Sequence, residues 1–134
     1  MGRGGVVGMG MAAELRENAA FVDPAGAYLD IKVSYLMKVI YNHLEGLRFA
    51  AEFEQLVGAL RESERNELRG RLVPGANGEQ ELVLFGVRSS SYDIGFLETG
   101  FGPAARRVPA PDGREYAEWE RLTAVTFRED RPGS

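Results

Sequence analysis

The spacing of apolar residues changes near Gly70, and this change constrains the fold more than any other feature of the sequence. Before Gly70, apolar residues recur mostly at intervals of three and four, which is typical of helices that bury one face. After it, they alternate with polar residues between turn signals, which is typical of strands and hairpins. We therefore expect a two-layer α+β fold, in which an N-terminal helical half packs on a mostly antiparallel sheet of roughly three to five strands from residues 70–128.

Helical spacing is clearest in three stretches of the N-terminal half. Residues 9–20 have the spacing of a short helix, and residues 36–47 and 49–60 each carry an apolar stripe. The two longer stripes differ in phase at Gly46, which predicts a kink or a break there. Charges of alternating sign follow, as on a solvated helix end. We expect Gly70 to end this helical region.

The segment 28–35 fits two patterns. Its apolar residues alternate with polar ones, as in a half-buried strand. Leu29 and Val33 also continue the helical stripe that begins at Leu36. Asp23 followed by Pro24 is a typical helix start, because aspartate caps the free amides and proline suits the first helical position. This signal favours a helix, and a strand remains the alternative.

Turn signals and alternation predict strands in the second half. Residues 72–87 predict a hairpin, because Asn77 and Gly78 supply the positive φ angles of a tight turn. Apolar residues occupy both faces of the stretch 81–87, which predicts a central strand. Further strands are expected at 92–96 and at 119–127.

The length of 134 residues is that of one domain, and we expect a single domain over 1–134. The Gly-rich start at 1–8 is expected to be flexible, and residues 129–134 form a polar tail. Residues 99–113 hold three glycines and three prolines, which disfavour both helix and strand. They predict a long loop, and long loops without secondary structure tend to be functional or disordered.

Cysteine and histidine usage excludes several classes of site. The chain has no cysteine and one histidine, so disulfides, thiolate metal sites, cysteine nucleophiles and paired imidazole ligands are excluded. We expect no metal and no cofactor. The net charge of −4 and the lack of a basic stripe argue against nucleic acid as a partner. No apolar run approaches the roughly 20 residues of a membrane-spanning helix, so we expect no membrane association and a cytoplasmic protein.

His43 is the only candidate general base, with Asp93 and Tyr41 as possible companions in an active site. Asp93 is distant along the chain and could approach His43 only through folding. No nucleophile motif accompanies them. A histidine beside an apolar helix face satisfies the same pattern, so we expect no catalytic residue.

Two polar segments are candidate binding sites. Arg88, Ser89, Ser90 and Tyr92 lie in the densest polar cluster and could bind an anion or another polar ligand, although a turn or bulge is favoured because serine side chains readily bond nearby backbone. The second segment is the predicted loop at 99–113.

Within that loop, Phe101 stands between two glycines and has little local structure to pack against. Arg106 and Arg107 follow it. Aromatic residues and arginines dominate interface hot spots, so these three residues are the candidate partner-binding set. A phenylalanine that anchors the loop to the core is one alternative, and a phenylalanine that covers a ligand pocket is another.

The sequence as a whole favours a non-enzymatic protein-interaction or assembly module, such as an adaptor, a regulator or a complex subunit. Its partner would be another protein or a second copy. The alternative is a small-ligand-binding or hydrolase-like α+β domain with a cavity between helices and sheet. A cavity lined by polar groups that include His43 would favour the enzyme, and an exposed apolar patch would favour the module.

Overall fold

The computed structural model describes residues 9–61 and 66–129, and this part of the chain has an α+β fold with four helices and a seven-stranded sheet. The predicted flexible start at 1–8 and residues 130–134 of the predicted tail lie outside the described residues. In chain order the elements are α1 (Met11–Asn18), β1 (Phe21–Val22), β2 (Leu29–Lys32), α2 (Val33–Asn42), β3 (Leu47–Phe49), α3 (Ala51–Leu60), β4 (Glu67–Pro74), β5 (Glu79–Ser89), α4 (Ser91–Phe101), β6 (Arg106–Pro109) and β7 (Glu115–Arg128).

The sheet is antiparallel throughout and has the order β1-β2-β4-β5-β7-β3. Strand β6 pairs with the first part of β7, on the edge that β3 occupies further along. Strand β5 pairs on both sides, which confirms its predicted central position. The expected three to five strands are too few, because β1, β2 and β3 come from the half predicted to be helical.

One hydrophobic core joins all four helices to one face of the sheet. Ile31, Leu68, Val87 and Ala117 are paired neighbours across four strands, and each is completely buried. The next row of paired residues belongs to the opposite face and consists of Asp30, Arg69, Gly86 and Glu118, of which all but the glycine are charged. The sheet therefore separates an apolar layer under the helices from a polar outer face.

The ambiguous segment 28–35 contains a strand and the start of a helix. Leu29 and Ile31 pair with Gly70 and Leu68 of β4, and α2 begins directly afterwards at Val33. The prediction of a helix from Asp23 onward is therefore wrong for Leu29–Lys32, which form strand β2. The Asp23 carboxylate instead accepts a hydrogen bond of 3.0 Å from the backbone N–H of Ala27 and closes a turn. Pairing with a distant strand outweighed the local helix signal.

Gly70 lies inside β4, so the prediction that it ends a helix is wrong. The pairing of β4 with β5 is irregular between Arg69 and Gly70. A Cβ atom at position 70 would lie 2.9 Å from the carbonyl oxygen of Val83 and 3.0 Å from the side chains of Leu82 and Leu84. The glycine is therefore explained by the close approach of β5.

The predicted hairpin connects β4 and β5. Asn77 has a φ of 57° and Gly78 a φ of 76°, which confirms the positive angles expected there. The strand predicted at 119–127 is confirmed within β7.

The strand predicted at 92–96 is wrong, because these residues form α4. The Ser90 hydroxyl accepts a hydrogen bond of 3.2 Å from the backbone N–H of Asp93 and caps the helix. Ile94 and Leu97, three residues apart, are buried on the same helix. The alternation at 92–96 suggested a strand, but Ile94 and Leu97 also have the three-residue spacing of a buried helix face.

The predicted loop at 99–113 is also shorter than expected. Its first three residues complete α4, which ends at Phe101, and Arg106–Pro109 form β6. Proline is tolerated in β6 because this strand pairs only with β7 and lies at an edge.

Candidate functional site

His43 lies at the end of α2 and contacts α1. Its Nε2 is 3.0 Å from Oε1 of Glu14, and Asn42 donates a hydrogen bond of 3.0 Å to the other oxygen of that carboxylate. Burial raises the pKa of Glu14, but hydrogen bonds from Asn42 and His43 and the nearby positive charges of His43 and Lys38 lower it by more, so the net pKa is lowered. The polar contacts of His43 thus connect two helices.

The other candidate catalytic residues have different surroundings. Asp93 at the start of α4 contacts the hydroxyls of Ser89 and Ser90. Tyr41 is 74% exposed on α2. No hydrogen bond joins His43 to either residue within the described parts of the chain. The geometry therefore gives no support to a catalytic group made of the three.

The candidate ligand residues also have separate partners. Arg88 forms ion pairs with Glu67 and Asp112. Ser89 is completely buried, and its Oγ lies 2.7 Å from Asn66 Oδ1. Ser90 caps α4, whereas Tyr92 is 80% exposed. Arg88, Ser89 and Ser90 thus have partners within the fold, and ligand binding by this set stays a prediction.

The candidate partner-binding residues contact their own chain. Phe101 is half-buried and packs against the hydrophobic core. Arg106 pairs with Glu118 at 2.7 Å, and Arg107 bridges Glu98 and Glu115 at 2.9 Å each. These contacts account for the aromatic ring and both guanidinium groups within the fold.

A polar cluster on the outer face of the sheet was not anticipated from the sequence. Arg69 donates hydrogen bonds of 2.7 and 2.9 Å to Asp30 and one of 2.9 Å to Glu118. Its guanidinium carbon lies 4.3 Å from the ring centres of both Tyr28 and Tyr116. Two aromatic rings and two carboxylates therefore surround one arginine.

The pKa shifts of Arg69 and Tyr116 both favour the protonated forms, which donate hydrogen bonds to Asp30. The hydrogen bonds from Arg69 to Asp30 raise the pKa of the arginine above its ordinary value. Burial, followed by the charge of Asp30, raises the pKa of the Tyr116 phenol, which donates a hydrogen bond of 2.9 Å to Asp30. The cluster thus satisfies its own charges, and we assign it to the stability and register of the sheet.

A groove between α2 and α3 has a volume of about 860 Å³ and a mostly apolar lining, as ligand and partner sites often have. Phe49 and Phe53 stack along it, with ring centres 5.1 Å apart and planes 10° from parallel. Most of its lining is aliphatic or aromatic. The lining residues are Val33, Ser34, Met37, Lys38, Ile40, Tyr41, Leu44, Phe49, Phe53, Glu54, Val57, Gly58 and Arg61.

Large apolar side chains remain open to solvent along this groove. Tyr41 is 74% exposed, Leu44 50% and Phe49 38%. Lys38 and Arg61 supply two positive charges and Glu54 one negative charge, and Lys38 and Arg61 form no ion pair within the described residues. The groove is therefore apolar, open and slightly cationic in a chain whose net charge is −4.

One wall of this groove could have been predicted from the spacing of apolar residues in the sequence. Met37 and Tyr41 lie one turn apart on α2, beside the buried residues of that helix, and Leu44 continues the i, i+4, i+7 spacing just beyond the helix end. A helix with two apolar stripes has more apolar surface than one core contact needs. This excess predicts an exposed apolar face. The α3 wall of the groove depends on packing between helices that no local pattern gives.

Two further properties concern residues 9–61 and 66–129. No group of three or more His, Cys, Asp or Glu side chains there could hold a metal ion. None of the helices in these residues has the length and apolar character needed to cross a membrane. No protein-family model matches the chain, and comparison with curated proteins and with solved structures gave no significant match.

Proposed function

We propose that this chain is a non-enzymatic protein-interaction module that binds a partner protein through the groove between α2 and α3. The observation that carries the proposal is the exposed apolar rim made by Tyr41, Leu44 and Phe49 around an apolar floor. Exposed apolar patches with charged residues at their edge are typical of protein interfaces. Aromatic side chains at the centre of such a patch are typical binding hot spots.

The polar groups of the fold support a binding role over a catalytic one. His43 is absent from the groove lining, and its ring contacts Glu14 instead. Asp93 and Ser89 contact one another at the start of α4. General acid–base catalysis requires a titratable group within hydrogen-bond distance of a bound substrate. The groove offers mostly apolar contact area, which suits binding.

A small apolar ligand is the second candidate occupant, because about 860 Å³ falls within the range of small-molecule sites. Such sites normally bury most of the ligand surface. Here the rim tyrosine at position 41 stays 74% exposed, so a small molecule would leave much apolar surface in water. A larger partner covers the rim as well as the floor, and we therefore favour a protein.

The test is photo-crosslinking in the source cell. A photoreactive phenylalanine derivative replaces Tyr41, and the control carries it at Tyr92, which is also exposed but lies on α4. We expect an adduct with another protein from position 41 and none from position 92. Substitution Gly58→Leu should abolish the adduct, because a Cβ at Gly58 meets open space in the groove and a larger side chain would fill it.

The matched control for that substitution is Gly95→Leu. Gly95 is also inside a helix, and a Cβ there also meets open space, but Gly95 does not line the groove. This variant should keep the adduct. An adduct that survives Gly58→Leu, or no protein adduct at position 41, would contradict the proposed function.

A further inference from the structure

We infer that the segment seated in the groove is an amphipathic α-helix of the partner, with acidic residues beside its apolar face. This inference rests on the proposed function and specifies its partner. Three properties of the groove carry it: the helical nature of both walls, the spacing of the apolar contacts, and the charge of the rim.

The first property concerns backbone hydrogen bonds. The long walls of the groove are α2 and α3, whose interior N–H and C=O groups are bonded within each helix. An extended peptide in an apolar groove needs a strand edge to pair with its backbone. The two long walls offer none, and the edge strand β3, which contributes Phe49 to the groove, is only three residues long. A buried backbone that lacks partners costs free energy. A helix satisfies its own backbone groups, so it is the segment that can enter without this cost.

The second property is the shape and spacing of the apolar surface. Each wall is ten residues long, or about 15 Å. A partner helix of about three turns matches this length. Met37 and Tyr41 on one wall and Phe53 and Val57 on the other each repeat after one helical turn. A helix with apolar residues at i, i+3 or i+4, and i+7 presents side chains at the same interval.

The third property is charge. Among the lining residues, Lys38 and Arg61 exceed Glu54 by one positive charge, and both are exposed. Neither forms an ion pair within the described residues, although the charge of Lys38 also acts on the nearby Glu14. Acidic side chains beside the apolar face of the partner helix would meet them. A second copy of this chain is disfavoured as the occupant, because a symmetric dimer would place one net positive rim against another.

The experiment uses a synthetic peptide that covers the crosslinked partner segment, titrated against the purified full-length chain. We expect the peptide to gain helical circular dichroism on binding. A central apolar residue replaced by proline should weaken binding at least about tenfold more than replacement by alanine, because proline breaks a helix interior. Equal effects of the two substitutions, or binding without a gain in helix, would overturn the inference.

Charge reversal tests the acidic flank. The double substitution Lys38→Glu with Arg61→Glu should weaken the peptide by about tenfold or more, and changing the acidic residues of the peptide to lysine should restore much of the loss. The control is Arg128→Glu, an exposed arginine at the end of β7 that does not line the groove. Its effect should be small. A peptide unaffected by the double reversal, or affected equally by the control, would overturn the acidic flank.

The two levels of the proposal fail in different ways. If the photoreactive group at Tyr41 captures another protein and the peptide then binds in an extended form, the module stands and the helix inference falls. An adduct with twice the mass of this chain would place a second copy in the groove and would also overturn the helix inference. If no protein is captured, both fall.

Discussion

Arg69 holds Asp30 with two parallel hydrogen bonds, from Nε to Oδ1 at 2.7 Å and from Nη2 to Oδ2 at 2.9 Å. The two residues are direct partners in the register of β4 and β2. The Asp30 side chain is 7% exposed and the Arg69 side chain 16%. This ion pair therefore ties the strand that precedes α2, one wall of the groove, to the centre of the sheet.

Removing the arginine should destabilise the chain strongly. Arg69→Met leaves the buried carboxylate of Asp30 without a cation and Glu118 with Arg106 as its remaining partner, which should lower the free energy of unfolding by about 3 kcal/mol. The control is Arg121→Met, because Arg121 is 55% exposed and pairs with Glu81 at 3.2 Å. It should cost less than about 1 kcal/mol. Urea denaturation followed by Trp119 fluorescence measures both, and equal losses would contradict the assigned role of the cluster.

This cluster shows which part of the fold the sequence does not predict. Asp30, Arg69 and Tyr116 are far apart along the chain, and each is unremarkable in its local pattern. They become neighbours only through the pairing of β2 with β4 and of β5 with β7. Local periodicity gives the face on which a residue lies, but it does not give the register with a distant strand.

The elements that were predicted correctly depend on local chemistry. The hairpin at Asn77 and Gly78 follows from the positive φ angles that these two residues tolerate. The helix at 92–96 was missed, although Ser90 and Asp93 have the spacing of a helix N-terminal cap. Half of the groove was also predictable, from the second apolar stripe at Met37 and Tyr41. Its other wall depends on where α3 packs, which only the tertiary structure shows.

The contact between Glu14 and His43 predicts a pH-dependent contribution to stability. The pKa of Glu14 is lowered in the folded chain, so folding favours the ionised carboxylate. Its contribution is fully present above the ordinary pKa of 4.5 and is lost as the pH falls through the lower folded value. We expect Glu14→Gln to cost about 1 kcal/mol near neutral pH and much less at about pH 3.

Denaturation curves of both proteins at several pH values measure this difference. The control is Glu17→Gln, an exposed residue on the same helix whose substitution should cost less than about 0.5 kcal/mol. A cost of Glu14→Gln that stays constant down to about pH 3 would show that the carboxylate charge does not stabilise the junction of α1 and α2.

Gly70 should tolerate no side chain. In Gly70→Ala, the new Cβ would lie 2.9 Å from the backbone oxygen of Val83, and β5 cannot move without disturbing its other neighbour, β7. We expect the free energy of unfolding to fall by about 1–3 kcal/mol. Gly95→Ala is the control, because a Cβ there meets open space and alanine favours a helix, so it should raise stability by about 0.5–1 kcal/mol. A neutral Gly70→Ala would contradict the close approach of β5.

Phe101 is the residue for which the sequence left three roles open, as a core anchor, a partner contact or a lid, and its contacts favour the core. The half-buried ring packs against the hydrophobic cluster, and the next residue, Gly102, accepts a hydrogen bond of 2.8 Å from Trp119 Nε1. Phe101→Ala should therefore cost about 3 kcal/mol of unfolding free energy. Phe96→Ala is the control on the same helix, because Phe96 is 55% exposed, and it should change stability by less than about 0.5 kcal/mol.

Partner affinity, corrected for the folded fraction, should be unchanged in Phe101→Ala. A weakened affinity with unaltered stability would instead make Phe101 part of the binding surface and would move the interface from the groove towards the end of α4.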